Sequence, residues 1–236
     1  MATFLELCQA VARDSGTFPN LGDPTSVSGQ TGRALRVVSW VNDAWEEIQR
    51  EQTRWRWMIA DATGNAVIGV NTYSGADLGI SERFERWEPY GDGEKSEVST
   101  WDADIGQSDE GPLAFVDEWP EFRRLFLMGG AALETGKPRV ACVAPNGNLL
   151  VYPTPDKAYK LRCPYVKSTQ VLSSNSDIPE MPAQYHGAIK WQALVMLGLF
   201  DEAETQTAMW QRKYARAMEH LRATQLPQLK FGESLA

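Results

Sequence analysis

The sequence has few of the residues on which metal sites, disulfide frameworks and membrane spans depend. Its 236 residues include two histidines and three cysteines, and no two cysteines stand in a CxxC spacing. An odd number of isolated cysteines indicates neither a disulfide framework nor a zinc site. No stretch of about 18 apolar residues occurs, and no basic region followed by an apolar run opens the chain. We therefore expect no membrane span, no secretion signal and synthesis in the cytoplasm.

Basic residues are scarce in one part of the chain. Residues 73–122 hold 14 of the 31 acidic residues but only 3 of the 23 basic ones, so this stretch is near −11 while the whole chain is −8. Proteins that wrap nucleic acid need clustered Lys and Arg. A chain polarised in this way is better suited to docking against charged surfaces or to repelling a polyanion. A nucleic-acid-binding protein stays an alternative that the net charge disfavours.

Catalytic motifs are also lacking. His186 and His220 lie outside HxxxH and HExxH patterns, and no GxSxG turn presents a nucleophile. Pairs of carboxylates occur without the EF-hand spacing, so a solvated acidic surface is the favoured interpretation. We expect no enzyme, no cofactor and no metal. Nine tryptophans and the paired carboxylates leave a carbohydrate-binding or cell-wall-degrading module as an alternative.

Helical periodicity marks both ends of the chain. Apolar side chains recur at helical spacing in residues 3–14, from Ala34 to about Thr53, and from Pro182 to Phe200, with Phe200 on the apolar face. A further helix follows residues 201–204 and ends near Thr224, so the last two helices should form an antiparallel hairpin. Residues 15–33, rich in Gly, Pro, Ser and Thr, predict a long surface loop between the first two helices.

The middle of the chain changes to short β-branched and aromatic runs. The expected strands are residues 66–70, 83–87, 140–143, 149–152 and 159–166. The Asn146-Gly147 dipeptide predicts a tight hairpin between two of them, because both residues readily adopt positive φ. One helix is expected from Asp117, as its N-cap, to about Met128.

This order of elements predicts an α+β fold. The N- and C-terminal helices form a helical bundle, and a β-rich insertion lies between them. Residues 1–57 are expected to form the N-terminal helices and loop, and residues 58–172 the β-rich insertion with its acidic segment 73–122. Residues 173–224 are expected to form the C-terminal hairpin, and residues 225–236 a docking tail. The tail is apolar, with Leu226, Leu229, Phe231 and Leu235. Burying such side chains stabilises a contact by roughly 1.5–3 kcal/mol each, which favours a docking role for the tail.

Four stretches, in this order, resemble a known family. They are the loop-to-helix junction Val27–Arg33, the aromatic stretch Trp55–Met58, the hairpin and strand Pro145–Ser168, and the segment Asp177–Pro182. Together they resemble the head-to-tail adaptor (connector, or neck) proteins of tailed bacteriophages. The acidic stretch 73–122 matches the family's pattern weakly.

The resemblance implies a structural protein of the virion neck. Its subunits form a ring, most often of twelve copies, that binds the portal protein, lines the DNA channel and meets the next neck or tail protein. Double-stranded DNA would pass without specific binding, and no membrane would be involved. A tail-terminator or second neck ring protein is the alternative within this class, and it would form a smaller ring.

The resemblance also suggests where the contacts lie. The expected portal or subunit interface comprises Gly29, Gln30, Thr31, Arg33, Leu226, Leu229, Phe231 and Leu235. The acidic segment is expected to face either the channel or a partner, through Asp92, Glu94, Glu97, Asp102, Asp104, Asp109 and Glu110. The sequence does not decide between a portal and a subunit contact, or between the channel and a partner.

Overall fold

The computed structural model describes residues 1–16, 23–90 and 95–226. The chain divides into two compact units. The described parts of Met1–Trp57 and Thr169–Ala236 form one, which we call the helical unit, and Met58–Ser168 form the other, the β unit. The architecture is α+β, with helices first and last and strands between them, as the sequence predicts.

The described residues form five α-helices and nine β-strands. The helices are α1 (Phe4–Asp14), α2 (Gly32–Glu51), α3 (Trp119–Phe126), α4 (His186–Phe200) and α5 (Glu204–Gln225). The strands are β1 (Ile59–Ala66), β2 (Thr72–Tyr73), β3 (Phe84–Trp87), β4 (Ser99–Asp102), β5 (Gly111–Pro112), β6 (Ala114–Phe115), β7 (Val140–Val143), β8 (Leu149–Tyr152) and β9 (Tyr159–Lys167).

The helical unit is built around α4, which packs against α1, α2 and α5. Ion pairs fix the direction of the helices. Arg33, in the first turn of α2, pairs with Asp201, just after α4, with 2.6 Å between Nη1 and Oδ1. Arg222, in the last turn of α5, donates from Nε to Glu51 at the end of α2 at 2.7 Å. Helix α2 therefore runs antiparallel to α4 and parallel to α5.

Tryptophans pack at the end of α2. Trp45 is buried on the helix, and Trp55 is buried just beyond it with its indole Nε1–H donating to the Ile48 carbonyl at 2.8 Å. Trp57 stacks on Trp55 with 4.5 Å between ring centroids. Aromatic stacking of this kind adds roughly 0.5–1.5 kcal/mol to the burial of each pair. The aromatic run after the helix is thus part of the core of the helical unit.

Two polar side chains of α2 hold the segment that returns from the β unit. Gln49 is buried and bonds both backbone groups of Gln170, accepting from its N–H at 2.7 Å and donating to its carbonyl at 3.0 Å. Asn42 does the same for Leu172, at 3.0 and 3.1 Å. Alternate residues of an extended segment turn their backbone groups to the same side, so two helix side chains can replace a partner strand.

The turn before α4 is organised by Asp177. Its carboxylate accepts from the backbone N–H groups of Ser173 and Ser174 at 2.7 and 2.8 Å, and from both serine hydroxyls. The Asp177 carbonyl in turn accepts from the N–H of Phe4 at the start of α1 at 2.7 Å. The hydrogen bonds from Ser174 lower the pKa of Asp177 from 3.8 to about 2.

We expect this carboxylate to make the stability of the helical unit depend on pH in the acidic range. A pKa that is lower in the folded chain adds stability above pH 3.8, and this stability is lost as the pH falls towards about 2. The Asp177→Asn variant should therefore unfold at a lower temperature than the wild type at pH 7, and the gap should shrink as the pH approaches 2. Thermal unfolding measured across this range checks it. A gap independent of pH would contradict it.

Strand β9 is the centre of the larger sheet of the β unit. Along one edge it pairs antiparallel with β1, from Ile59 opposite Val166 to Ala66 opposite Tyr159. Along the other it pairs with β4 and β3, and β4 continues the sheet to β5. The second sheet has the order β2-β8-β7-β6, with β7 and β8 joined by the predicted hairpin at Gly147.

The core of the β unit is made by side chains from both sheets. Its largest buried members are Tyr73, Leu78, Trp87, Val98, Leu113, Leu149, Val151, Tyr159 and Leu161. A smaller cluster packs Phe122 of α3 against Cys142, Leu150 and Tyr152 of β7 and β8. Each sheet is therefore covered by apolar partners on at least one face.

Three of the sequence predictions need correction. Residues 66–70 are not a strand, because β1 ends at Ala66 and the chain turns over residues 67–70, where Gly69 has φ +76°. The N-cap residue of helix α3 is Glu118, which makes no side-chain capping bond, and not Asp117, whose carboxylate accepts from the Tyr90 hydroxyl at 2.8 Å. Phe200 lies 53% exposed and not on a buried face.

Candidate docking surfaces

Large apolar side chains are exposed near the end of the helical unit where α2 begins and α4 ends. Leu199 and Phe200, in the last turn of α4, are 64% and 53% exposed, and Leu35 near the start of α2 is 48% exposed. The Phe200 ring lies 5.6 Å from that of Trp40 and carries the Arg36 guanidinium 4.2 Å from its centroid. We call these five residues the helical end face. Exposed apolar patches of this kind mark contact sites for other molecules.

The Arg33–Asp201 pair holds the end face in shape. Arg33 donates to both carboxylate oxygens of Asp201, which ties the start of α2 to the turn between α4 and α5. The hydrogen bond from Arg33 lowers the pKa of Asp201, which favours its charged form. A planar fork of two parallel bonds fixes orientation better than a single contact. Arg33, one of the residues expected at the portal or subunit interface, thus lies beside the end face, and its interface role stays a prediction.

The described part of the predicted loop is tied down at Val27. Val27 is buried, and its N–H donates to the Asn175 side chain at 2.7 Å. Gln30 is half-buried and donates to the Ser26 carbonyl at 2.8 Å. Gly29 is exposed with φ +70°. Thr31, also exposed, is the N-cap residue of α2 without a side-chain capping bond.

Most of the predicted docking tail lies outside the described residues. Leu226 is half-buried, and its N–H donates to the Arg222 carbonyl at the end of α5 at 3.2 Å. Leu229, Phe231 and Leu235 belong to the part that the structure does not describe, as do Asp92 and Glu94 of the acidic segment.

The acidic segment is neutralised in part by basic residues from outside it. Asp102, at the end of β4, pairs with Lys157, and Asp109 accepts from Lys137 at 2.6 Å. Asp102 donates from its backbone N–H to the Asp109 carboxylate at 2.9 Å, which joins the two pairs. The hydrogen bonds from the lysines lower the pKa values of both aspartates. These two acids are therefore part of the internal structure of the β unit.

The remaining acids of the segment differ in their surroundings. Glu110 accepts from the Ser99 hydroxyl at 2.5 Å and pairs with Arg162 at 3.0 Å. It lines an open cleft of about 340 Å³ together with Glu97 and Asp61. Glu97 and Asp104 are exposed and make no ion pair in the described residues. Free negative charge is thus concentrated on only part of the predicted acidic surface.

A comparison with known protein families identifies the family of the chain. The chain matches the family described as SU10 adaptor protein over residues 2–230. This chain belongs to that family. The predicted resemblance to phage head-to-tail adaptors is confirmed. None of the curated proteins compared with the chain matches it.

Two surface features of this adaptor family member were not predicted from the sequence. The turn after β1 exposes Val67 and Ile68 at 55% and 63%, and the Tyr73 hydroxyl fixes it by donating to the Val70 carbonyl at 2.5 Å. The signal for this turn in the sequence was Gly69, which interrupts a run of β-branched residues. On the helical unit, the Nζ atoms of two lysines lie over the Trp191 ring, Lys190 at 4.0 Å and Lys213 at 4.3 Å from its centroid.

His186, Cys8 and Cys142, which were named from the sequence, are buried in the fold of this adaptor. His186 is buried between Ala2 and Met181, with Nε2 positioned to donate to the Met181 carbonyl at 3.0 Å and Nδ1 to accept from Ala2. Burial raises the pKa of Cys8 to about 12 and that of Cys142 to about 11. In residues 1–16, 23–90 and 95–226, no group of His, Cys, Asp and Glu is placed to hold a metal, and no helix could cross a membrane.

Proposed function

We propose that this protein is a structural subunit of the head-to-tail adaptor in the neck of a tailed phage. Copies of the chain form a ring, most often of twelve, that binds the portal protein on one side and the next neck or tail protein on the other. The protein is made in the host cytoplasm and acts in the virion. It joins the head to the tail, lines the channel through which DNA passes, and catalyses no reaction.

The helical end face is the observation that carries this proposal. Family membership over residues 2–230 supports an adaptor, and an adaptor must present surfaces to other proteins. The end face presents three large apolar side chains beside Arg33, which is one of the residues expected at the interface. We assign the portal contact to this face, with the tail from Gln225 onward as a second attachment.

The charges of the β unit support passage of DNA without binding. Three basic residues, Lys137, Lys157 and Arg162, pair with carboxylates of the acidic segment, so they are not available to phosphates. Exposed Asp104 and Glu97 add negative charge, which repels a polyanion. A ring whose channel carries such a surface would let the genome slide through.

The portal contact is tested with a double substitution. Leu199→Ser with Phe200→Ser should weaken binding to purified portal rings by about tenfold to a hundredfold, since each apolar group buried contributes roughly 1 kcal/mol or more and each 1.4 kcal/mol is tenfold. Removing residues 225–236 should weaken binding as well. Affinity is measured by surface plasmon resonance, and thermal unfolding checks that the variants fold.

The matched control lies in the β unit. Val67→Ser with Ile68→Ser removes two apolar side chains of similar exposure and should leave portal affinity unchanged. Equal losses in the two double variants would refute the assignment of the contact to the end face. Electron microscopy of the portal complex counts the copies, and a ring smaller than the expected twelve would favour the alternative of a tail-terminator or second neck ring protein.

A further inference from the structure

The exposed side of α2 carries an ordered set of charges. Asp43, Glu47 and Arg50 are all exposed, and we call them the α2 strip. Asp43 makes no hydrogen bond or ion pair in the described residues. Glu47 accepts one bond from Gln192 at 2.5 Å, and the Arg50 side chain is 67% exposed although it pairs with Glu46. All three can therefore accept or donate further bonds.

The side of α5 that faces away from the core carries a second set. Arg212, Arg216 and Glu219 are all exposed, and we call them the α5 strip. The opposite side of the helix buries Trp210 and Leu221. Within residues 1–16, 23–90 and 95–226, none of the three strip residues makes an ion pair or a side-chain hydrogen bond. The strip has no charged partner in the part of the subunit that is described.

The two strips have the same spacing and opposite charges. In each strip the second residue follows the first by four positions, and the third follows the second by three. The α2 strip reads negative, negative, positive, and the α5 strip reads positive, positive, negative. Positions separated by three and four lie on one side of a helix. Two helices in parallel register would therefore place three opposite-charge pairs along their contact.

The directions of the helices agree with a parallel contact. Within one subunit α2 and α5 run the same way, as the Arg33–Asp201 and Glu51–Arg222 pairs show. Rotation about an axis along these helices keeps α2 of one copy parallel to α5 of the next. Two different surfaces that complement each other make a heterologous contact, which closes into a ring when the rotation allows it.

We propose that the α2 strip of one copy binds the α5 strip of the next copy. This interface rests on the proposed adaptor ring and specifies which surfaces join its subunits. Exposed ion pairs are individually weak, so their main effect is to set partner, direction and register while other contacts add affinity. A parallel register pairs Asp43 with Arg212, Glu47 with Arg216 and Arg50 with Glu219.

Charge reversal on each side, alone and combined, tests the interface. Asp43→Lys with Glu47→Lys should raise the concentration at which half of the full chain is assembled by at least tenfold, and so should Arg212→Glu with Arg216→Glu. The fourfold variant that carries all these changes restores opposite charges across the contact. It should assemble within about threefold of the wild-type concentration. Sedimentation velocity and electron microscopy, with and without portal rings, measure assembly at low ionic strength.

The control reverses the same number of charges elsewhere. Arg123→Glu with Arg124→Glu changes two exposed arginines of α3 in the β unit and should assemble like the wild type. If the Asp43→Lys pair of changes prevents folding, the neutral Asp43→Asn with Glu47→Gln takes its place and should still weaken assembly. Circular dichroism checks folding in every case.

The outcomes separate this interface from the adaptor ring itself. Loss in each double variant with recovery in the fourfold variant supports the paired strips. Rings that form normally in both double variants would refute the interface while leaving the adaptor function in place. Equal loss in the α3 control would also refute it, because net charge alone would then govern assembly. A wild-type chain that forms no ring, even on portal rings, would refute the proposed function.

Discussion

The Gln49→Leu variant is expected to lose about 2–4 kcal/mol of the free energy of unfolding, which is a large part of the stability of a typical domain. Leucine has nearly the volume of glutamine, so the loss comes from hydrogen bonding and not from a cavity. The backbone N–H and carbonyl of Gln170 would both lose their partner. An unpaired group that is shielded from water costs about 1–3 kcal/mol.

The control for this prediction is the same substitution at an exposed site. Gln211 lies on the exposed side of α5 and makes no hydrogen bond in the described residues, so Gln211→Leu should change stability by less than about 0.5 kcal/mol. Urea unfolding followed by circular dichroism gives both values. Equal stability of the two variants would show that Gln49 does not hold the returning segment.

The helices could be predicted because their signals are local. Apolar spacing gave α1, α2, α4 and α5, and Asn146-Gly147 gave the hairpin of β7 and β8. The contact of Gln49 with Gln170 could not be predicted, because its partners are 121 positions apart. A buried glutamine on an apolar helix face was the one available signal, and a polar side chain in such a position needs partners.

Strand β4 escaped prediction because it lies inside the acidic segment. All four of its residues are buried, but Ser99 and Asp102 give it neither an apolar run nor a clean alternation. The register of β4 with β9 places Asp102 opposite Tyr159, near Lys157. Acidic and basic residues that are far apart in the sequence therefore pair in the fold. The number of acidic residues in the segment could not reveal which of them remain unpaired.

The proposed docking surfaces could be located only in part from the sequence. The resemblance pointed to the start of α2, and the structure places Arg33 beside the helical end face. The exposure of Leu199 and Phe200 was not predicted, because α4 is apolar on nearly all sides and its sequence does not distinguish a buried face. The last turn of such a helix is exposed when the chain reverses at Asp201 and no described element covers it.

The second large effect is expected at Gly64 in β1. A Cβ added there would lie 2.6 Å from the Leu78 Cα and 3.0 Å from the Asp77 carbonyl oxygen. These are backbone atoms of the helical turn Ala76–Leu78, which packs on β1, and Leu78 itself is in the core. The clash cannot be relieved by moving a flexible side chain. Gly64→Ala should therefore destabilise the β unit by about 3 kcal/mol, at the upper end of overpacking effects.

Gly111→Ala provides the matched control, because a Cβ at that strand position would meet no atom within 4 Å. Alanine is favoured over glycine inside a strand by roughly 0.5–1 kcal/mol, so this variant should be slightly more stable than the wild type. Hydrogen exchange of the β1 and β9 amides measures the two changes where they act. The expected result is faster exchange in Gly64→Ala alone. Equal exchange in both variants would mean that β1 and the Ala76–Leu78 turn can separate without cost, against the close packing seen between them.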